Sequence, residues 1–122
     1  MSQYLEIVRS RPVIYDGSMG AYLLNMELTA EDYGGKEGCN DFLVLSKPGV
    51  IEDVHTAYLE AGADVLETDT FGGSVIKLEE YGLGEHTYDL NRAAAELAKR
   101  VARDFSTKDK PRFVAGSVGP TG

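Results

Sequence analysis

Apolar positions along the 122-residue chain fall into short runs, each with a recognisable period. Tyr4, Leu5 and Val8 share one face of a short helix that Ser2 can cap and Pro12 ends. Val13, Ile14 and Tyr15 form an unbroken apolar run stopped by Asp16-Gly17, the pattern of a buried strand meeting a tight turn. Tyr22, Leu23, Leu24 and Met26 predict a brief helix, and the polar, glycine-containing stretch 28–41 predicts a loop. Val50, Val54, Ala57, Tyr58 and Ala61 then trace one stripe of a 3.6-residue period. Pro48 suits the first turn of that helix and Gly62 the left-handed position past its end. Val65-Leu66 read as a second strand, closing on Glu67-Thr68-Asp69-Thr70-Phe71-Gly72-Gly73. Ser74 is placed to cap a short helix that Gly82 ends. A longer helix starts near Tyr88 under a Thr87 cap and buries Leu90, Ala94, Leu97, Val101 and Phe105. Phe113–Ala115 form a third strand, which breaks at Gly116-Ser117-Val118-Gly119-Pro120.

The order is helix, strand, helix, strand, helix, strand, which predicts the α/β class: a parallel βαβαβ sheet with right-handed crossovers. Each strand closes on a cluster of glycine and small polar residues, DGSMG, ETDTFGG and GSVGPTG in turn. Ligand chemistry in parallel α/β folds sits at the carboxyl ends of the strands, where glycine lets backbone approach a ligand closely. One such cluster is explained by turning the chain. Three in succession point to a site.

Composition narrows the choice of ligand. Apolar residues make up 43% of the chain, enough for one packed domain, and 20 acids against 12 bases leave a net charge of −8. Without a cluster of Lys and Arg, such a chain is a poor match for nucleic acid or an anionic membrane. Neither a signal peptide nor a long apolar span is present, and a single cysteine, Cys39, excludes an internal disulfide, so a cytoplasmic location is expected. No Walker-type phosphate loop occurs, and DGSMGAY lacks dinucleotide-loop spacing. Cys39, His55 and His86 show no metal-ligand spacing, so no metal site is expected. Asp16 and Glu67, at adjacent strand ends, are the best polar candidates, able to hold an ammonium group or to act as acid and base. Asp16 is equally well read as bracing its turn. Glu31 and Asp32 are expected to be solvated.

Taken in order, VIYDGSMGAYL, EDYGG, CNDFLVLSKPGVIEDVHTAYLEAGADVLETDTFGG, YGL, LNRAAAELAKRVA and PRFVAGSVGPTG resemble the homocysteine S-methyltransferases, most closely the cobalamin-dependent branch. The resemblance implies a (βα)8 TIM barrel of which residues 1–122 are the N-terminal part, about three strands. It implies homocysteine bound at the carboxyl face of the strands and methylated to methionine. For the full-length protein it implies zinc and methylcobalamin, zinc holding the sulfur as thiolate, the nucleophilic form. Carried over residue by residue, Asp16 contacts the homocysteine ammonium, while Gly17, with Ser18 and Met19, offers backbone N–H groups. Thr70 and Phe71 lie beside the substrate, and Glu67 joins the expected substrate contacts from its strand-end position. Asp69 departs from the asparagine usual at its position. The family's zinc is held by cysteines of later strands, and Cys39 matches none. The chain alone is therefore expected to hold no cofactor, to carry no catalytic residue and to be inactive, completed by the rest of the barrel or by other copies of itself. The rival expectation is a self-standing small α/β binding or assembly module, which a chain stopping in mid-loop at Gly122 disfavours.

Overall fold

Helix α1 (Gln3–Ser10) begins at Ser2, whose Oγ accepts from Leu5 N at 3.3 Å. The computed structural model describes residues 2–121. The apolar face of α1 is not buried, Leu5 and Val8 staying exposed, although Tyr4 packs edge-on against Phe113.

The first predicted strand is reduced to a single parallel bridge, Tyr15 to Val65. Ile14 O accepts from Asp64 N and Val65 N, and Asp16 N donates to Val65 O, so the segment is aligned as a strand without extending as one. It has one neighbour and no cover, and Ile14 and Tyr15 are exposed rather than buried.

Helix α2 (Met19–Leu23) starts earlier than the apolar pattern suggests, because Ser18 Oγ accepts from Ala21 N at 3.1 Å and sets its first turn. Only Leu23 of α2 is buried, and Leu24 lies 87% exposed. The loop that follows is built of turns. Within it Asp32 is not simply solvated: its carboxylate accepts from Thr29 N at 2.8 Å and from Lys47 Nζ at 2.6 Å. A 3-10 turn at Asn40–Phe42 leads into α3 (Leu43–Ser46), which the pattern does not single out.

Helix α4 (Pro48–Glu60) opens on Pro48 and stops before Gly62, whose φ of 107° is the left-handed conformation a side chain disfavours. Its buried residues are Val50, Ile51, Val54, His55 and Leu59. Burial has shifted away from Ala57, Tyr58 and Ala61, because the helix packs against both α3 and α6 and larger Ile51 and Leu59 remove more apolar area from water. Strand β1 (Val65–Glu67) follows, then α5 (Val75–Glu79), capped by Ser74 and followed by left-handed Gly82. Helix α6 (Thr87–Phe105) buries Leu90, Ala94, Leu97, Ala98, Val101 and Ala102. Thr87 is its first residue rather than its cap, and the Thr87 hydroxyl donates back to Gly84 O at 2.7 Å. Strand β2 (Phe113–Ala115) pairs parallel with β1, Val65 opposite Phe113 and Glu67 opposite Ala115.

The result is a mixed helix and sheet architecture with parallel strands, ordered Tyr15 segment, β1, β2. Leu43, Ile51, Val54, Leu66, Leu78 and Leu90 form a continuous core between the sheet and α3, α4, α5 and α6. At the amino end of β1, buried Asp64 accepts two hydrogen bonds from Arg11, at 3.0 and 3.1 Å, and one from Ile14 N at 2.9 Å. That staple fixes the strand register, and with it which residues emerge at the carboxyl ends.

Candidate functional site

The carboxyl ends of the strands open into a cleft of about 720 Å³. Of the residues expected there, Asp16, Gly17, Ser18, Met19, Glu67 and Phe71 line it. Thr70 stands apart: 6% exposed, its hydroxyl donates to Ser117 O at 2.8 Å and meets Thr68 Oγ1 at 2.6 Å. Ser117 N donates in turn to Thr68 Oγ1 at 3.0 Å. Thr70 therefore clips the exit of β1 to the exit of β2 instead of forming a wall of the cleft. Next to the clip, Gly119 abuts the Phe71 carbonyl so closely that no side chain fits there.

Asp16 follows directly from the strand-like segment, which aims it across to β1. Its Oδ2 accepts from Glu67 N at 3.1 Å, while its buried Oδ1 has no partner within the described residues. Burial, with a lesser contribution from the nearby Glu67 carboxylate, pushes the Asp16 carboxyl up to about 6. The residue is thus half brace and half free acceptor. Ser18 spends its hydroxyl on capping α2, and its carbonyl accepts from Tyr58 OH at 3.0 Å. The same Tyr58 ring would collide with any Cβ at position 17, which explains the glycine in the Asp16-Gly17 turn.

Asp41 and Asp69 also line the cleft, although the spacing of the sequence marks neither as a ligand-binding residue. Asp41, from the 3-10 turn, is buried and its Oδ2 accepts from Gly72 N at 3.0 Å. Burial raises its pKa. Asp69 lies two residues beyond Glu67 in a tight turn closed by Thr70 N donating to Thr68 O at 2.8 Å. Its position inside ETDTFGG was the available signal. Its burial was not, because that depends on the segment containing Asp41, 28 residues earlier, coming next to it. Among the described lining residues the acids Asp16, Asp41, Glu67, Asp69 and Glu80 face one base, Lys77, so the cleft suits a cationic group.

The donors for a metal do not assemble. Cys39 is buried, and burial, with smaller contributions from Asp41 and Asp69, pushes its thiol pKa up, away from thiolate. His55 is fully buried in α4 and His86 is exposed. Among the described residues no group of three or more His, Cys, Asp or Glu is placed to hold a metal ion.

A family model described as homocysteine S-methyltransferase matches residues 13–122. The chain is 42% identical over 116 residues to a methionine synthase of Mycobacterium leprae. It is 40% identical over the same length to one of Mycobacterium tuberculosis. Each alignment takes in 95% of this chain and 10% of the relative, so the chain spans about a tenth of the length of the curated relatives it matches. In structure it is similar to the homocysteine methyltransferase MmuM of Escherichia coli. The TM-score is 0.75 to the metallated form, covering 94% of this chain and 40% of that one. To the oxidized form it is 0.77, covering 98% and 41%. Both are 23% identical in sequence to the chain, a likeness that bears on the fold.

Proposed function

The chain belongs to the homocysteine S-methyltransferase family, and from that premise we propose that it supplies the amino-acid-binding face of an enzyme that methylates homocysteine to methionine. In this reading residues 1–122 are the N-terminal part of a (βα)8 barrel domain, and the cleft at the strand ends is one side of its substrate pocket. The observation that carries the reading is the convergence of Asp16 and Glu67 in that cleft, with Asp16 Oδ1 buried and unpartnered. A substrate ammonium there satisfies the orphan oxygen and neutralises a site that is short of positive charge. Backbone N–H groups of Gly17, Ser18 and Met19 complement the carboxylate, and Phe71 lies beside the aliphatic part. Thr70 serves by holding the strand exits together.

In the whole protein the zinc that the family implies would hold the homocysteine sulfur as thiolate, and methylcobalamin would be the implied source of the methyl group. Zinc does not fit the donors of this chain, whose one thiol is buried and remote in character from a metal ligand. The residues of this chain bind and orient the amino-acid end, and the transfer belongs to other parts of the protein. A cytoplasmic location is part of the proposal; separately, no helix among the described residues is long and apolar enough to cross a membrane.

Substituting Asp16→Asn in the full-length protein tests the reading. The change keeps the acceptor for Glu67 N and removes the charge. A charge-assisted hydrogen bond is worth roughly 1.5–3 kcal/mol, so homocysteine affinity should fall about 10- to 150-fold with zinc content unchanged. Since the wild-type carboxyl titrates near about 6, wild-type affinity should also drop as pH falls through that value, and the variant should not follow. Unchanged affinity with a lower melting point would leave Asp16 a brace of the turn and nothing more.

A further inference from the structure

Asp69 lies deep among the acids of the cleft, 5% exposed, with its Oδ2 buried and without a partner in the described residues. Among the described residues, the titratable groups it interacts with are the Asp41 carboxyl from the 3-10 turn, and the Tyr33 hydroxyl and Cys39 thiol from the preceding loop. Lys77, the base lining the cleft, pairs with Glu80 at 3.5 Å. A carboxylate held in such surroundings loses its hydration and gains no counter-charge, which disfavours the charged form. Taking up a proton removes the charge, and burial first, then the Asp41 charge, raise the Asp69 pKa well above the usual carboxylate range. A neutral carboxyl, unlike a carboxylate, has an O–H to donate.

We infer that Asp69 is a substrate-binding residue of the cleft, acting as a neutral acid that donates a hydrogen bond to the α-carboxylate of the amino-acid ligand. The inference rests on the proposed homocysteine site. The ammonium and carboxylate of an α-amino acid branch from one carbon. A ligand whose ammonium lies at Asp16 and Glu67 therefore presents its carboxylate to groups lining the same cleft close by, and Asp69 is two residues from Glu67. An ionised Asp69 would repel that carboxylate. A neutral one pairs with it and gives the orphaned oxygen its partner. The ammonium then meets Asp16 and Glu67, while the carboxylate meets the neutral Asp69 in addition to the backbone N–H groups of residues 17–19.

The test compares L-homocysteine with its decarboxylated analogue, homocysteamine, titrated calorimetrically at neutral pH into the full-length protein. Asp69→Asn presents an N–H donor where the acid has O–H, while Asp69→Leu has similar size and no donor. Homocysteine should bind the asparagine variant within about twofold of wild type, and the leucine variant about 10-fold or more weakly. Homocysteamine, lacking the acceptor, should bind all three alike. Equal weakening of homocysteine by Asn and Leu would mean that Asp69 is ionised and holds a cation, overturning the inference. So would a leucine penalty shared by the two ligands, which signals a distorted pocket. Should the leucine variant fail to fold in a thermal melt, Asp69→Ala takes its place. Failure of the wild type to bind homocysteine at all would sink the site itself, a result distinct from either of these.

Discussion

His55 places an imidazole at zero exposure inside α4, with neither ring nitrogen partnered among the described residues. Burial alone lowers its pKa from 6.5 to about 4, so the folded protein holds it neutral. The unfolded chain takes up the proton more readily between those values. The stability that neutral His55 permits is therefore fully present above about 6.5 and is lost as pH falls toward about 4. The shift corresponds to about 3 kcal/mol over that window. Replacing His55 with Leu should flatten the dependence and add about 1 kcal/mol at neutral pH, since two unsatisfied polar atoms leave the core. Denaturant midpoints of both proteins at about pH 7.5 and about pH 5 check this. Parallel curves would show that the imidazole finds a partner. From the sequence, His55 lies beside the apolar stripe of its helix, and only the packing of α3 and α6 turns that neighbouring position into core. Asp16 shows the same limit. Residue type at the Asp16-Gly17 turn suggests a carboxylate bonded to the turn itself, whereas Oδ2 accepts from Glu67 N across the strands and Oδ1 is buried without a partner among the described residues.

At the scale of elements, local chemistry set the helices well. Ser2, Ser18 and Ser74 cap as hydroxyl side chains do, and Gly62 and Gly82 take the left-handed positions past helix ends. The strand at residues 13–15 was the element the pattern overstated. Apolar composition makes a strand possible, but here the pairing with β1 stops at one bridge, Tyr15 to Val65. What aligns the segment is Asp64, tied to Arg11 and Ile14 N. The Arg11 guanidinium holds the Asp64 carboxyl below its usual range, against the opposing effect of burial. Its contribution is thus present at neutral pH and lost as pH falls through the lowered folded-state value. Asp64→Ala should cost about 3 kcal/mol, because it removes a buried carboxylate and three of its hydrogen bonds at once. Hydrogen exchange should quicken at the amides of Ile14 and Asp16, and the acid limb of the stability curve should become shallower. Protection unchanged at Ile14 would show that the backbone ladder holds the segment without the staple.

At the scale of the whole molecule, the sheet of the described residues has two open edges. One edge is the single-bridged Tyr15 segment and the other is β2, and Leu24, Ile14 and Val118 present apolar surface to water, Val118 at 94% exposure. Unpaired strand edges beside apolar surface favour association. Expressed alone, the chain should self-associate or melt broadly, as light scattering and a denaturant titration will show. A compact monomer with a steep transition would favour the self-standing module instead. The chain alone should also retain well under one equivalent of zinc after dialysis against micromolar metal, since its thiol and two imidazoles do not converge. One equivalent held through Cys39 would overturn that account.

The sequence by itself determined what is local or serial. The caps at Ser2 and Ser74, the stops before Gly62 and Gly82, the alternation that makes a parallel sheet, the ordered motifs that carry the family, and the strand-end location of Asp16, Gly17 and Glu67 all follow from residue type and spacing. Tertiary structure alone decided which side of α4 is core and that Thr70 clips two loops together. It also decided that Asp41 comes next to Asp69. Each of these depends on contacts between residues distant in the chain, and burial, which pushes Asp16 up to about 6 and raises Asp69 well above the usual carboxylate range, exists only once those segments meet.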